Sequence, residues 1–531
     1  MSRKAALARA SFVVAAGAVL SKCLGFLREM VIASRFGASS HVDAYVVAQG
    51  LPGLLFATVG AALGTVVIPM FTARRVSGGD EAAFRMARTI WNSVVLLALL
   101  VVVAGELATP WVIRVVAPGF TGQIFLESVV LARILMPAVL FTGVGLLARG
   151  MLNALQHFST PAFADPAQNI IVIGSVLTLG AWLGIRGLAI GTLIGMGMQL
   201  FMLLPALVRR GFRLGVEIDW RLPELRRMWV LAIPVIIGSS VGTINALVDR
   251  MLASGLPAGN IAAMNYATRI YTLPLVFFGS AISTVLYPTM TEFAAEKSNA
   301  GMAHSIMRGL RFSAFGLLPM TAGLVVLSVP ITRVVYERGA FNPQATTLTA
   351  GVMAMYALGV VAICWRDIAS RAFYAMQDTI TPLWTGIAAV VVNIGLNLAL
   401  VRVLGARGLA LATAISCWVG ALLLIWSLYR RLPGFSRVAG LGLWLEIGKC
   451  GVGTVIMALG VSRMWLYLSR HIAGGLLEVI GGVVLSALIG AFIYGLCAMF
   501  LRIEDLHLAR SVATGAVARI KSRLARSPAR G

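Results

Sequence analysis

The first apolar run of this 531-residue chain carries three charges, Lys22, Arg28 and Glu29. A charge at the bilayer centre costs about 2.5–3.5 kcal/mol on insertion scales, so it usually faces a partner or a watery cavity. Lys22 and Glu29 are seven residues apart and share a helix face. Arg28 and Glu29 are adjacent and diverge by about 100°. Arg269 lies in another apolar stretch, with no acidic residue nearby on its own helix. Lys22, Arg28 and Arg269 could therefore line a cationic cavity. Guanidinium forks match phosphate oxygens bidentately, so such a cavity suits a phosphate or pyrophosphate. The alternative is internal pairing, of Arg28 with Glu29 of a neighbouring turn or of Arg269 with Asp249. Arg35, Arg133 and Arg250 fall near helix ends, where snorkelling to headgroups is expected.

A second group bears oxygen. Asp249, Asn393, Asn397 and Thr413 stand in apolar surroundings, and Asn393 and Asn397 share a helix face. A hard cation such as Na⁺ wants several oxygen ligands. Hydrogen bonding between membrane helices would use the same residues. Other chemistries find little support. The five cysteines, Cys23, Cys364, Cys417, Cys450 and Cys497, form no Cys-x-x-Cys and read as small buried hydrophobes. The five histidines are scattered and make no zinc motif. Gly448-Lys449-Cys450 lacks the spacing, the hydroxyl and the preceding strand of a phosphate-binding loop. No enzyme and no ATPase is expected. Any transport must draw on an ion gradient, the membrane potential or consumption of the substrate elsewhere.

The elements that position these residues are membrane helices. The chain is 59% hydrophobic, with mean hydropathy +0.90. A helix needs about 20 apolar residues to span the hydrocarbon. The sequence predicts fourteen spans, at 12–34, 44–71, 90–110, 127–151, 166–183, 187–208, 229–252, 263–290, 311–332, 347–373, 383–401, 408–429, 444–467 and 475–500. The fold class expected is an all-α polytopic membrane protein, because open sheets leave backbone groups unsatisfied in lipid. Sequence also recurs at an interval of 221 residues: Gly184-Ile185-Arg186-Gly187-Leu188-Ala189 returns as Gly405-Ala406-Arg407-Gly408-Leu409-Ala410. Ala154-Leu155-Gln156 returns as Ala375-Met376-Gln377, and Arg28-Glu29-Met30 faces Asp249-Arg250-Met251. The expected organisation is two six-helix lobes, 1–220 and 221–440, two further helices in 441–501 and a basic tail at 502–531.

The net charge of +24 is explained by topology. With both termini cytoplasmic, most Lys and Arg fall on the inner side, including Arg74, Arg75, Arg209 and Arg210. A nucleic-acid partner is not expected; membrane lipids are. The N-terminal segment reads as a retained first helix rather than a signal peptide. Val517, Ile520 and Leu524 in the tail could lie on the anionic leaflet, or the tail could be solvated. Gly191 and Gly195 read as helix-packing positions.

Several stretches resemble the MurJ (MviN) lipid II flippase family. They are Ser21-Lys22-Cys23-Leu24-Gly25-Phe26-Leu27-Arg28-Glu29, Phe36-Gly37-Ala38, Asp43-Ala44 and Leu51-Pro52-Gly53-Leu54-Leu55. Asp249 to Pro257, Asn265-Tyr266-Ala267-Thr268-Arg269, Ala375 to Thr379 and Gly408 to Thr413 continue the likeness. The resemblance implies the multidrug/oligosaccharidyl-lipid/polysaccharide exporter superfamily, the bacterial inner membrane and alternating access. It implies export of undecaprenyl-pyrophosphate-linked peptidoglycan precursor for cell-wall synthesis. It places Lys22, Arg28 and Arg269 at the pyrophosphate, with Glu29 and Asp43 in support. It places a sodium site at Asp249, Asn393, Asn397, Thr413 and the backbone of Leu409, and a lipid-tail groove on the last two helices. A monomer and contacts with cell-wall synthesis proteins are expected. The chain departs from the pattern: Lys22 stands where Arg is usual, Thr268 replaces an acidic residue, and the stretch Phe56-Ala57-Thr58-Val59-Gly60-Ala61-Ala62 lacks the usual basic pair and the acidic residue after it. Another lipid-linked polysaccharide as cargo, or a non-transporting scaffold, is the alternative. A multidrug antiporter would want acidic cavity residues instead.

Overall fold

The computed structural model describes residues 3–216, 219, 222–276, 280–433, 435, 441–471, 475–504 and 506. The tail stripe at Val517, Ile520 and Leu524 lies outside them. The first helices are α1 (Arg3–Phe36), α2 (Ser40–Pro52), α3 (Thr58–Val116), α4 (Gly122–Leu135), α5 (Ala138–Ala154) and α6 (Ser159–Leu177). A short α7 (Leu179–Leu183) leads to α8 (Ile185–Val208), α9 (Pro223–Ser254), α10 (Asn260–Tyr271) and α11 (Ser280–Ala295). Next come α12 (Asn299–Val326), α13 (Ser328–Tyr336), α14 (Pro343–Ala357), α15 (Val360–Ala375) and α16 (Ile380–Leu404). The last are α17 (Ala406–Arg431), α18 (Leu441–His471) and α19 (Leu476–Phe500). No strand occurs among the described residues.

Nine helical stretches among the described residues are long and apolar enough to cross a membrane, against the fourteen spans expected. The spans at 12–34, 166–183 and 229–252 are largely or wholly helical too, within α1, α6 and α9. Among the interruptions of the regular helices, two lie in the first unit. Pro52 cannot donate to the backbone ladder, and a π-helical turn, Gly53–Ala57, follows it. Gly79 (φ 78°, ψ 178°) breaks α3 into two helices.

The backbone repeats with the sequence. Gln156 and Gln377 have φ of 56° and 60°, and Gly184 and Gly405 have 57° and 58°. Both pairs are 221 residues apart. Two non-glycine residues in the left-handed region at matching positions are not a coincidence of composition, because that region is disfavoured for L-residues.

Contacts divide the chain into two units. The first contains Met1–Tyr266, Tyr336–Leu348 and Asn397–Ala406. Its core joins α3, α5 and α8 around Phe56, Phe71, Met86, Leu147 and Phe212. In it, Gly191 and Gly195 sit against Ser175 and against Gln168 and Val172, so α6 and α8 pack closely. The second contains Ala267–Val335, Thr349–Leu396 and Arg407–Gly531. Its core joins α12, α15 and α17 around Met307, Leu317, Trp365 and Phe373. There α18 and α19 meet α12 through Met457, Val461 and Tyr494, and the Tyr494 hydroxyl donates to the Phe315 carbonyl at 2.9 Å.

Candidate substrate and ion site

On α1, Arg28 is engaged from two sides. It donates to Glu29 at 2.7 Å and to the Asn169 side chain of α6 at 3.0 Å. Adjacent positions diverge on a helix, but the long arginine stem bends back far enough to close the pair. Asn169 packs over Gly25, where a Cβ would lie at an ordinary contact distance of 3.8 Å from its amide nitrogen. Asn169 in turn donates to the Ser21 carbonyl at 3.3 Å. Glu29 is buried and also accepts from Asn265 of α10, at 3.4 Å. Arg28 thus carries the internal pairing that competes with the cavity reading. Lys22 is exposed on α1. Arg269, in the second unit, is exposed on α10 beside buried Tyr266 and Ile270.

The oxygen-bearing group resolves into two hydrogen-bonded sets. In the first unit, Asn397 donates to Asp249 at 2.6 Å. In the second, Asn393 donates to Thr413 and to Ser416, both at 3.4 Å, and Thr413 donates to the Leu409 carbonyl at 3.0 Å. Asn393 and Asn397 are both buried. The donors are one carboxylate plus neutral amide, hydroxyl and carbonyl oxygens, a composition that fits a hard monovalent cation. Ser416 belongs to this set, although nothing in the sequence singled it out from other serines. Among the described residues no cluster of three His, Cys, Asp or Glu could hold a metal.

Asp43 has a different task. It is 3% exposed and accepts from the backbone N–H groups of Gly259 at 2.6 Å and Ala262 at 2.7 Å. These are donors at the start of α10, which its own helix cannot satisfy, so α2 caps α10 with a carboxylate. Around this cap the loops meet backbone to backbone. A Cβ on Gly37 (φ +65°) would lie 2.5 Å from the Ala340 carbonyl oxygen. One on Gly259 (φ +88°) would lie 2.4 Å from that of Ala38, and one on Gly339 (φ +60°) 2.2 Å from that of Ser34. The Ala340 N–H donates to the Ser34 carbonyl at 2.8 Å. Tyr266 donates to the Gly37 carbonyl at 3.0 Å, and Tyr336 donates to the Tyr266 carbonyl at 3.2 Å. Gly119 N–H reaches the Ser254 hydroxyl at 3.0 Å. These contacts lie within the first unit and form a clasp of four loops. The loops follow the first, third, seventh and ninth expected spans, all placed outside when both termini are cytoplasmic.

Two findings lay beyond the sequence reading. Arg149 of α5 pairs with Asp165 of α6, which also accepts from Gln199 of α8. The available signal was opposite charges at the ends of neighbouring spans. Arg250 does not follow the headgroup-snorkelling expectation; its guanidinium lies against Gly50 of α2. At the site of the missing basic pair, Phe56 is fully buried in the α3–α5 core. Gly143 makes room for it, since a Cβ there would lie 2.3 Å from the ring.

The all-helical fold is shared with solved structures of other membrane proteins. It matches a solved structure described as lipid II flippase MurJ in an inward closed conformation. The TM-score is 0.78 at 24% identity, covering 92% of this chain and 99% of that one. It also matches an inward-facing multidrug resistance MATE family transporter, with TM-score 0.68 at 16% identity, covering 79% and 96%. The family model "Lipid II flippase MurJ" matches residues 32–484. A Rhizobium tropici protein named "Probable lipid II flippase MurJ" is 33% identical over 437 residues, 79% of this chain and 80% of that protein. A Vibrio cholerae protein of the same name is 28% identical over 523 residues, 95% and 98% of the two chains. The chain belongs to the lipid II flippase MurJ family.

Proposed function

We propose that this chain moves lipid II, the undecaprenyl-pyrophosphate-linked peptidoglycan precursor, from the cytoplasmic to the outer leaflet by alternating access. The observation that carries this reading is the family match over residues 32–484. The clasp around Asp43 supports the mechanism, because it is a set of contacts that must open to release cargo outward. Lys22, Arg28 and Arg269 hold the pyrophosphate. Arg28 exchanges Glu29 and Asn169 for phosphate oxygens, and the released Glu29 keeps Asn265. Such an exchange shifts the conformation only insofar as cargo binds one state better than the other. Asp249, Asn393, Asn397, Thr413 and the Leu409 carbonyl are the groups that would hold Na⁺. A bound Na⁺ supplies charge compensation for the Asp249 carboxylate. The protein works as a monomer in the bacterial cytoplasmic membrane, with both termini inside and cell-wall synthesis proteins as partners.

Arg28→Ala and Arg269→Ala are each expected to abolish rescue of a flippase-depleted strain while membrane insertion stays normal. Full rescue by both refutes the reading. A second reading, export of another lipid-linked polysaccharide, is favoured by the stretch from Phe56, which lacks a usual cavity cation and begins with a fully buried ring. Failure of the wild-type chain to rescue the strain, at good expression, would favour it.

A further inference from the structure

The charge absent near Phe56 has a candidate replacement on α9. The dipeptide Asp249-Arg250 occupies the place that Arg28-Glu29 holds in the other repeat. In Arg28-Glu29 the two charges neutralise each other. In Asp249-Arg250 the carboxylate is taken by Asn397 at 2.6 Å. The guanidinium has the Asp249 charge beside it but makes no hydrogen bond among the described residues. It packs against Gly50 instead: a Cβ on Gly50 would fall 2.0 Å from Nη1 and 2.6 Å from Cζ. The approach needs a residue without a side chain at that position.

Helix geometry explains the direction. Side chains on a helix tilt toward its N-terminus, so Arg250 reaches back along α9, away from the Gly255 end. That end is where snorkelling would have taken it. Its guanidinium lines a cavity of about 420 Å³, together with Gln49, Gly50, Gly53, Leu54 and Thr243. Gly53 opens the π-helical turn that follows Pro52, and a Cβ there would meet nothing within 4 Å. The cavity therefore offers an arginine fork, the Gln49 amide, the Thr243 hydroxyl and bare backbone, with Leu54, Ala246 and Leu247 completing the wall.

We infer that Arg250, over Gly50, forms a subsite for a phosphate oxygen of the lipid-linked pyrophosphate, supplying from α9 the cation missing near Phe56. This rests on the flippase reading. A phospholipid phosphate offers the same chemistry, and the test separates the two. Purified wild type, Arg250→Ala, Arg250→Gln and Arg250→Lys are titrated in detergent with undecaprenyl pyrophosphate, undecaprenol and phosphatidylglycerol, with binding read by native mass spectrometry. Wild type is expected to prefer undecaprenyl pyrophosphate over undecaprenol. Arg250→Ala and Arg250→Gln should each lose that preference by tenfold or more, with undecaprenol binding unchanged. Arg250→Lys, which keeps the charge but loses the fork, should fall between. Unchanged preference in the Ala and Gln variants overturns the subsite alone. An equal loss of phosphatidylglycerol binding overturns its assignment to cargo. Absence of any preference in wild type overturns the flippase reading with it.

Discussion

Asp43→Asn isolates the strength of the clasp. The native carboxylate accepts two backbone bonds, at 2.6 and 2.7 Å, from a position 3% exposed. Hydrogen bonds to a charged group contribute about 1.5–3 kcal/mol each. Asparagine keeps one acceptor oxygen and turns an NH₂ group onto the other donor, so one bond is lost and the other becomes a neutral one. Weakening the clasp by about 1.5–3 kcal/mol raises the opened population roughly 10- to 150-fold. Amide hydrogen exchange reads this directly in residues 257–266, which hold both donors. Residues 360–375, on α15 in the core of the second unit, serve as the control. Exchange in 257–266 should accelerate by the stated factor and the control should not move. Unchanged exchange in 257–266 refutes the clasp, and equal acceleration of both segments shows general destabilisation instead.

Gly37→Ala adds left-handed strain of about 1–2 kcal/mol and a contact 2.5 Å from the Ala340 carbonyl oxygen, so the melting temperature should drop. An unchanged melting temperature would remove the close approach. Gly143→Ala drives a methyl into the Phe56 ring at an overpacking cost of about 1–3 kcal/mol, and adding Phe56→Leu should restore part of the lost thermal stability. Burial raises the Asp378 carboxyl, but bonds from the Thr381 backbone and hydroxyl and the Ile380 N–H, with the Arg431 charge, outweigh it and hold it below the usual carboxylate range. That stability is present above the unfolded value of about 3.9 and is lost as pH falls through the lower folded value. The melting-temperature gap between wild type and Asp378→Asn should therefore close on acidification, and a gap that persists below both values contradicts the assignment. Asp249→Asn and Asn397→Ala should each reduce the sodium dependence of lipid II transport in vesicles; unaltered dependence in both removes the proposed ion site.

Residues that carry charge into apolar stretches were legible because the bilayer penalises them, which is how Arg28 and Glu29 attracted attention; Asp43 was marked only by the family resemblance. Their partners were not. Asn169 is one of several polar residues on its helix, and nothing in sequence says which neighbour it meets. The Asp43 bonds go to backbone N–H groups, which every residue possesses. Arg250 was misread because proximity to a helix end was weighed without the direction in which helical side chains lean. The repeat was visible as words in the sequence and returns as left-handed backbone at Gln156 and Gln377. The three clasp glycines were three among 56, and their positive φ emerges only where the chain turns against another loop.

A closure made of main chain constrains chemical intervention in an unusual way. At Gly37, Gly259 and Gly339 the neighbour is a carbonyl that substitution cannot remove, and the glycine itself has no room for a methyl. A small molecule wedged among these loops would meet atoms common to every amino acid. Resistance to it could arise at few positions, because the surface it recognises is not encoded in side chains.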